Sequence, residues 1–157
     1  RAQRRRICAP HQPAPHRPPK FLGALRARWG YCAGARAEFT HLLDDRLRVL
    51  GADHPDTLTT RSTLASYRAD AGDLPCAIAE LEQLLADRLR VLGPDHPDTF
   101  ATRNDLASRQ AEHGDLGTAI AELEVLLVAE LRALGPTHAA TIRTQTTLAH
   151  WRARLAG

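Results

Sequence analysis

Gly93-Pro-Asp-His-Pro-Asp-Thr-Phe100 repeats an earlier stretch, Gly51-Ala-Asp-His-Pro-Asp-Thr-Leu58, and an eroded copy follows as Gly135-Pro-Thr-His-Ala-Ala-Thr-Ile142. Both intervals are 42 residues. Laid over each other without gaps, residues 51–92 and 93–134 agree at 26 of 42 positions. A fixed period of this size marks stacked repeats, in which each unit buries its apolar face on its neighbours. Such arrays offer an extended surface rather than a catalytic cleft.

Each unit reads as two helices. Over residues 57–69, Leu58, Leu64, Ala65 and Ala69 fall along one stripe. Gly72 can then take the left-handed conformation that stops a helix. Asp73 is placed to cap the next helix, and Pro75 is tolerated in its first turn. That second helix, over 74–92, repeats Ala77, Ile78, Leu81, Leu84, Leu85, Leu89 and Leu92 at three-and-four spacing, and Gly93 with Pro94 ends it. The same order recurs over 101–111, 113–115 and 116–134. Upstream, residues 38–50 match 80–92 in register, which makes them a second-type helix; downstream, 139–155 reads as a first-type helix.

The expected fold is therefore all-α, a right-handed α-solenoid of antiparallel hairpins with about six helices. Its units are a half-hairpin over 35–50, repeats over 51–92 and 93–134, and a half-repeat over 135–157. Apolar faces left open at both ends point to a longer array or to end-to-end self-association.

The net charge of +3 combines two opposite parts. Residues 1–36 hold nine Arg or Lys and no acid; the remainder holds 12 basic and 18 acidic residues, or −6. Residues 1–34, with Pro10, Pro13, Pro15, Pro18 and Pro19 among Arg and His, read as a disordered arm that cannot bury enough apolar surface to offset its ordering entropy. Arg4, Arg5 and Arg6 lack the aromatic interleaving of a nucleic-acid surface, and the repeat itself is acidic, so no nucleic acid is expected as partner. No apolar run reaches the roughly 20 residues needed to cross a bilayer, and the Arg-rich first residues lack the apolar segment of a secretory signal. Cys8, Cys32 and Cys76 have neither disulfide-framework nor zinc spacing, which fits a cytoplasmic protein with reduced thiols.

The clusters Asp53, His54, Asp56 and Asp95, His96, Asp98 have ligand-type side chains. Helix punctuation explains them better. Asp95 can cap, Pro97 suits the first turn, and Asp98 sits near the positive helix end. The third copy loses both carboxylates, as a relaxed cap would and a ligand set would not. No metal and no cofactor are expected. His41, His113 and His150 have no nucleophile partner, and the single lysine, Lys20, lies outside any phosphate-binding G-x-x-x-x-G-K-[ST] loop. The chain is not expected to be an enzyme.

Leu64-Ala65, Gly72 and Ala77, echoed by Leu106-Ala107, Gly114 and Ala119, resemble the tetratricopeptide repeat. The 42-residue period and the Gly-Pro-Asp-His-Pro-Asp-Thr link are similar to its kinesin-light-chain-type variant, over about residues 35–157. Two departures stand out: Arg68 and Arg109 replace the usual aromatic of the first helix, and Leu84 and Leu126 the usual small residue of the second. The resemblance implies a non-catalytic protein–protein interaction scaffold that binds a peptide or partner helix on the concave face of its first helices. It also implies an alternative, a sensor or regulatory array from a larger bacterial NTPase-containing signalling protein. Carried over by position, the binding face comprises Thr59, Ser62, Thr63 and Ser66, then Asn104, Asp105 and Ser108, then Arg143, Thr147 and His150. Asn104 is the strongest candidate, since an amide can both donate to and accept from a peptide unit; the family's preferred asparagine position falls at Asp105. Polarity alone fits a solvated helix face equally well.

Overall fold

The computed structural model describes residues 37–156; the expected arm over 1–34 lies outside them. Six helices account for the described chain: α1 (37–49), α2 (Pro55–Asp70), α3 (Leu74–Val91), α4 (Pro97–His113), α5 (Leu116–Ala133) and α6 (Ala139–Ala156). Each helix from α2 to α5 packs on the next, and α4 also packs directly on α6. The chain is thus an all-α stack in which α2, α4 and α6 repeat as first helices and α1, α3 and α5 as second helices.

The echoed link builds each junction from local chemistry. Gly93, at φ +89°, turns the chain out of α3 in a conformation that a side chain would strain. Pro97 at the first helical position fixes where α4 begins, leaving His96 as its N-cap. The Asp98 amide donates to His96 Nδ1 at 3.1 Å. His54 and His138 accept from Asp56 and Ala140 in the same way, both at 3.2 Å. The capping role expected of Asp95 therefore belongs to His96, one residue later. Nδ1 hangs on Cγ as a carboxylate oxygen does, so it reaches the same amide, and accepting requires the neutral ring. This corrects the reading of the third copy: the residue it keeps, His138, is the cap itself. Thr99 closes the link, its buried hydroxyl donating to the Gly93 carbonyl at 2.9 Å; Thr141 does so to Gly135 at 2.8 Å.

Asp73 and Asp115 do occupy the N-cap positions of α3 and α5, but neither side chain makes a capping bond there. Their backbone sits near φ −90° and ψ +60°, away from the extended conformation of the histidine caps.

The apolar stripes fill the space between helices. Leu58, Ala65 and Ala69 of α2 are buried, as are Ala77, Leu81 and Leu84 of α3. Leu89, counted on the same stripe from sequence, lies exposed at 42 %, because the stripe of a straight helix drifts off the core by its last turn. Phe100, Ala107, Leu123, Leu126, Leu148 and Trp151 belong to one cluster joining α4, α5 and α6. Leu84 and Leu126, the departures from the small residue usual at that position, are both buried.

Arg68 and Arg109 form ion pairs, Arg68 with Glu80 at 2.6 Å, Arg109 with Glu112 at 2.9 Å and Asp70 at 3.6 Å. The last of these ties α2 to α4. The two arginines are not at equivalent positions, since Gln110 stands 42 residues after Arg68 and Arg109 stands 42 residues after Tyr67, which corrects the expectation that both fill one aromatic position. No helix among the described residues is long and apolar enough to cross a membrane.

Candidate binding face of the first helices

The ten expected site residues occupy four helical positions that recur at the 42-residue interval on α2, α4 and α6. Helix α4 packs directly on α6, and Arg109 of α4 reaches Asp70 of α2, so equivalent positions follow one another from helix to helix. Thr59 and Ser62, Thr63 and Ser66 lie on α2, Asn104, Asp105 and Ser108 on α4, and Arg143, Thr147 and His150 on α6.

Most hydroxyls of this set donate back to their own helix. Thr59 bonds the Pro55 carbonyl at 2.9 Å, Thr63 that of Thr59 at 3.1 Å, and Ser66 that of Ser62 at 3.2 Å. Ser108 bonds Asn104 at 2.9 Å and Thr147 bonds Arg143 at 3.0 Å. Such back-bonding commits the proton and leaves the oxygen lone pairs facing outward. A surface of this kind accepts hydrogen bonds from a visitor more readily than it donates them.

Asn104 does not share that exposure. Its side chain is 3 % exposed, and its Nδ2 donates to Thr144 Oγ1 on α6 at 3.0 Å. It pins α4 to α6 and thereby sets the spacing of the face. Asp105, the next residue, is half-buried beside it. Burial pushes its carboxyl above the usual aspartate range, against the opposing pull of Arg143, Arg109 and Arg88. None of these three guanidinium groups closes an ion pair with it; Arg109 turns to Glu112 and Asp70 instead. His150 stacks edge-on to Trp151 at 4.8 Å.

The Asp-His-Asp clusters are engaged elsewhere. Asp53 forms a two-pronged bond with Arg90, which holds its carboxyl below the usual range, and His54 receives the Asp56 amide. Neither side chain is arranged toward a common point.

Sequence reasoning missed a third repeated device. Arg88, on the last turns of α3, is 4 % exposed and donates to the Asp98 carbonyl at 2.8 Å and to Thr102 Oγ1 at 2.5 Å. Arg46 makes the same two bonds to Asp56 and Thr60, at 2.8 and 2.6 Å. At the third equivalent position stands Glu130, fully buried, with Thr144 in the place of Thr102. Thr144 lies close enough to favour the ionised acid, but the contact falls short of a hydrogen bond and both carboxyl oxygens go without one. Burial dominates and pushes the Glu130 carboxyl up. The period itself carried this signal, since 46, 88 and 130 are spaced like 60, 102 and 144.

A separate concavity of about 270 Å³ lies against the opposite face of α4, where Leu85, Arg103, Leu106, Gln110, Thr118 and Glu122 meet between α3 and α5.

Residues 57–98, one full period, match the family model described as tetratricopeptide repeat. That one period matches a tetratricopeptide repeat. No curated protein matches the chain. Among solved structures, the nearly identical TPR-like repeats ascribed to a kinesin light chain of Podosopora anserina superpose with a TM-score of 0.69 at 23 % identity, covering 83 % of this chain and 62 % of that one. A singly substituted form of the same repeats gives the same score and identity, with 61 % of its length covered. The chain thus spans about three fifths of the structures it matches, and the likeness is one of fold. Tetratricopeptide repeats are in general protein–protein interaction modules.

Proposed function

We propose that this stack captures an extended peptide or a partner helix on the outward face of α2, α4 and α6, without covalent chemistry of its own. The observation that carries the reading is Asp105: a half-buried carboxyl next to the buried Asn104, with no ion pair closed, since Arg109 turns to Glu112 and Asp70. Holding such a group without a direct partner has a desolvation cost that a bound donor would relieve. Around it, the Ser and Thr oxygens offer acceptors to backbone N–H groups, and Arg143 can donate to a carbonyl. Asn104 serves this face from behind, by fixing α4 against α6.

Peptides selected on the 157-residue chain from a random phage-displayed library would test it. Asp105→Arg and Arg143→Glu should each weaken the selected peptides by about tenfold or more, the scale of one lost charged anchor, while Glu122→Ala in the opposite concavity leaves binding unchanged. Unaltered binding by a folded Asp105→Arg variant would sink the proposal.

A further inference from the structure

We propose that the concavity between α3, α4 and α5 is a binding site for a free α-amino acid with an apolar side chain, held by Arg103 and Glu122. The site is built from the middle of the stack and stands apart from the Asp105 face.

Comparing the two full repeats explains why a site opens here. In the first, two ion pairs join its helices: Arg61 of α2 with Asp87 of α3, and Arg68 with Glu80, both at 2.6 Å. One period of 42 residues later, Arg103 and Glu122 keep the arginine of one pair and the glutamate of the other. Ala129 stands in place of Asp87, and Gln110 in place of Arg68. Each pair has lost one charged member. Among the described residues, Arg103 keeps a single ion pair, with Glu122 at 3.8 Å, which is beyond hydrogen-bond reach. Its side chain is only 24 % exposed, so a largely covered guanidinium stands without a close acceptor.

What the second repeat has lost defines what fits it. The missing members are a carboxylate beside Arg103 and a cation beside Glu122. A molecule that carries both, a few atoms apart, replaces them together. The 3.8 Å between Arg103 and Glu122 suits the carboxylate and ammonium of an α-amino acid, which hang on one carbon. The guanidinium fork donates to the ligand carboxylate, and the ligand ammonium donates to Glu122. Since Arg103 and Glu122 cancel in charge, a zwitterion matches them where a simple anion would meet Glu122 and a simple cation Arg103. Leu85 and Leu106, both half-buried, form an apolar wall for the ligand side chain, and Gln110 and Thr118 add neutral polar groups. At about 270 Å³ the concavity falls just below the range of drug-sized sites, roughly 300–1,000 Å³, which suits an occupant as small as one amino acid.

Titration of the 157-residue chain with L-leucine, followed by NMR of the backbone amides, tests this. Signals around Leu106, Gln110 and Thr118 should move and saturate, with a Kd of about 1 mM or tighter. N-acetyl-L-leucine lacks the cation and L-leucinamide lacks the carboxylate, so each should bind about tenfold more weakly or worse, the scale of one lost charged hydrogen bond. The double variant Gln110→Arg and Ala129→Asp rebuilds both ion pairs of the first repeat, removes neither Arg103 nor Glu122, and should abolish binding. Should it unfold, as circular dichroism would show, Arg103→Gln takes its place and should likewise abolish binding. The proposal is overturned if L-leucine, L-methionine and L-phenylalanine all give no saturable shift at about 10 mM, ten times the expected Kd. Equal binding of the two blocked forms, or binding that persists in the folded double variant, would overturn it as well.

Discussion

Arg88 donates to the Thr102 hydroxyl at 2.5 Å, carrying a buried guanidinium from the end of one hairpin into the start of the next. With the Asp98 carbonyl as second acceptor, the bond spans the Gly93–His96 link and fixes the angle between repeats. Arg46 and Thr60 repeat it one period earlier, where the arginine is less buried. The junction therefore rests on a charged donor and two neutral acceptors rather than on an ion pair.

Arg88→Ala should lower unfolding free energy by about 2–3 kcal/mol, the scale of two charge-assisted bonds together with the lost packing of the side-chain stem. Arg46→Ala should cost less, about 1 kcal/mol, because water replaces more of what it loses. Arg88→Met, which keeps the stem, should fall between wild type and Arg88→Ala. Urea denaturation followed by circular dichroism measures all three.

The capping role of histidine is separable from that of the neighbouring acids. His96→Ala should cost about 1 kcal/mol, whereas His96→Asn, which offers an acceptor at similar reach, should cost a few tenths. Asp95→Ala should be near neutral. If Asp95→Ala proved the more damaging change in thermal melts, the assignment of the cap to His96 would be wrong.

Glu130 gives stability a dependence on pH. Its folded pKa is raised by burial, so the fold favours the neutral acid. The stabilising contribution is fully present below the ordinary glutamate value of about 4.3 and is lost as pH climbs through the folded value. The negative end of α5, three residues on, works in the same direction. Glu130→Gln should therefore raise the melting temperature at pH 8 and leave it nearly unchanged at pH 4, by about 1–2 kcal/mol at the higher pH. Glu130→Arg should go further, since the Ala140 carbonyl and Thr144 stand where Asp98 and Thr102 receive Arg88. A melting temperature at pH 8 lower than wild type in both variants would contradict this reading.

Helix positions were legible because the period, the glycines and the prolines act locally. The expected 74–92 and 116–134 end within one residue of α3 and α5. The apolar stripes of the first helices begin only at 57 and 101, after the helix starts at Pro55 and Pro97, whereas the capping reading, with Pro97 in the first turn, is off by one residue because the cap is a histidine. What sequence could not show was how one polar residue differs from its neighbour. Asn104 and Asp105 are adjacent on a polar helix, and only the approach of α6 buries the first and leaves the second half-open. Arg46 and Arg88 lie off the apolar stripe that the sequence pattern marks, and their acceptors, a carbonyl and a hydroxyl, come from the next first helix.

The most direct measurement is a hydrogen-exchange footprint of the 157-residue chain with and without a peptide selected on it. The expected result is slowed exchange along α4 around Asp105 and Ser108 and along α6 around Arg143 and Thr147, with α3 and α5 unchanged. Protection confined instead to α3 and α5, around Leu85 and Thr118, would place the binding surface on the opposite side of α4 and contradict the assignment to the first helices.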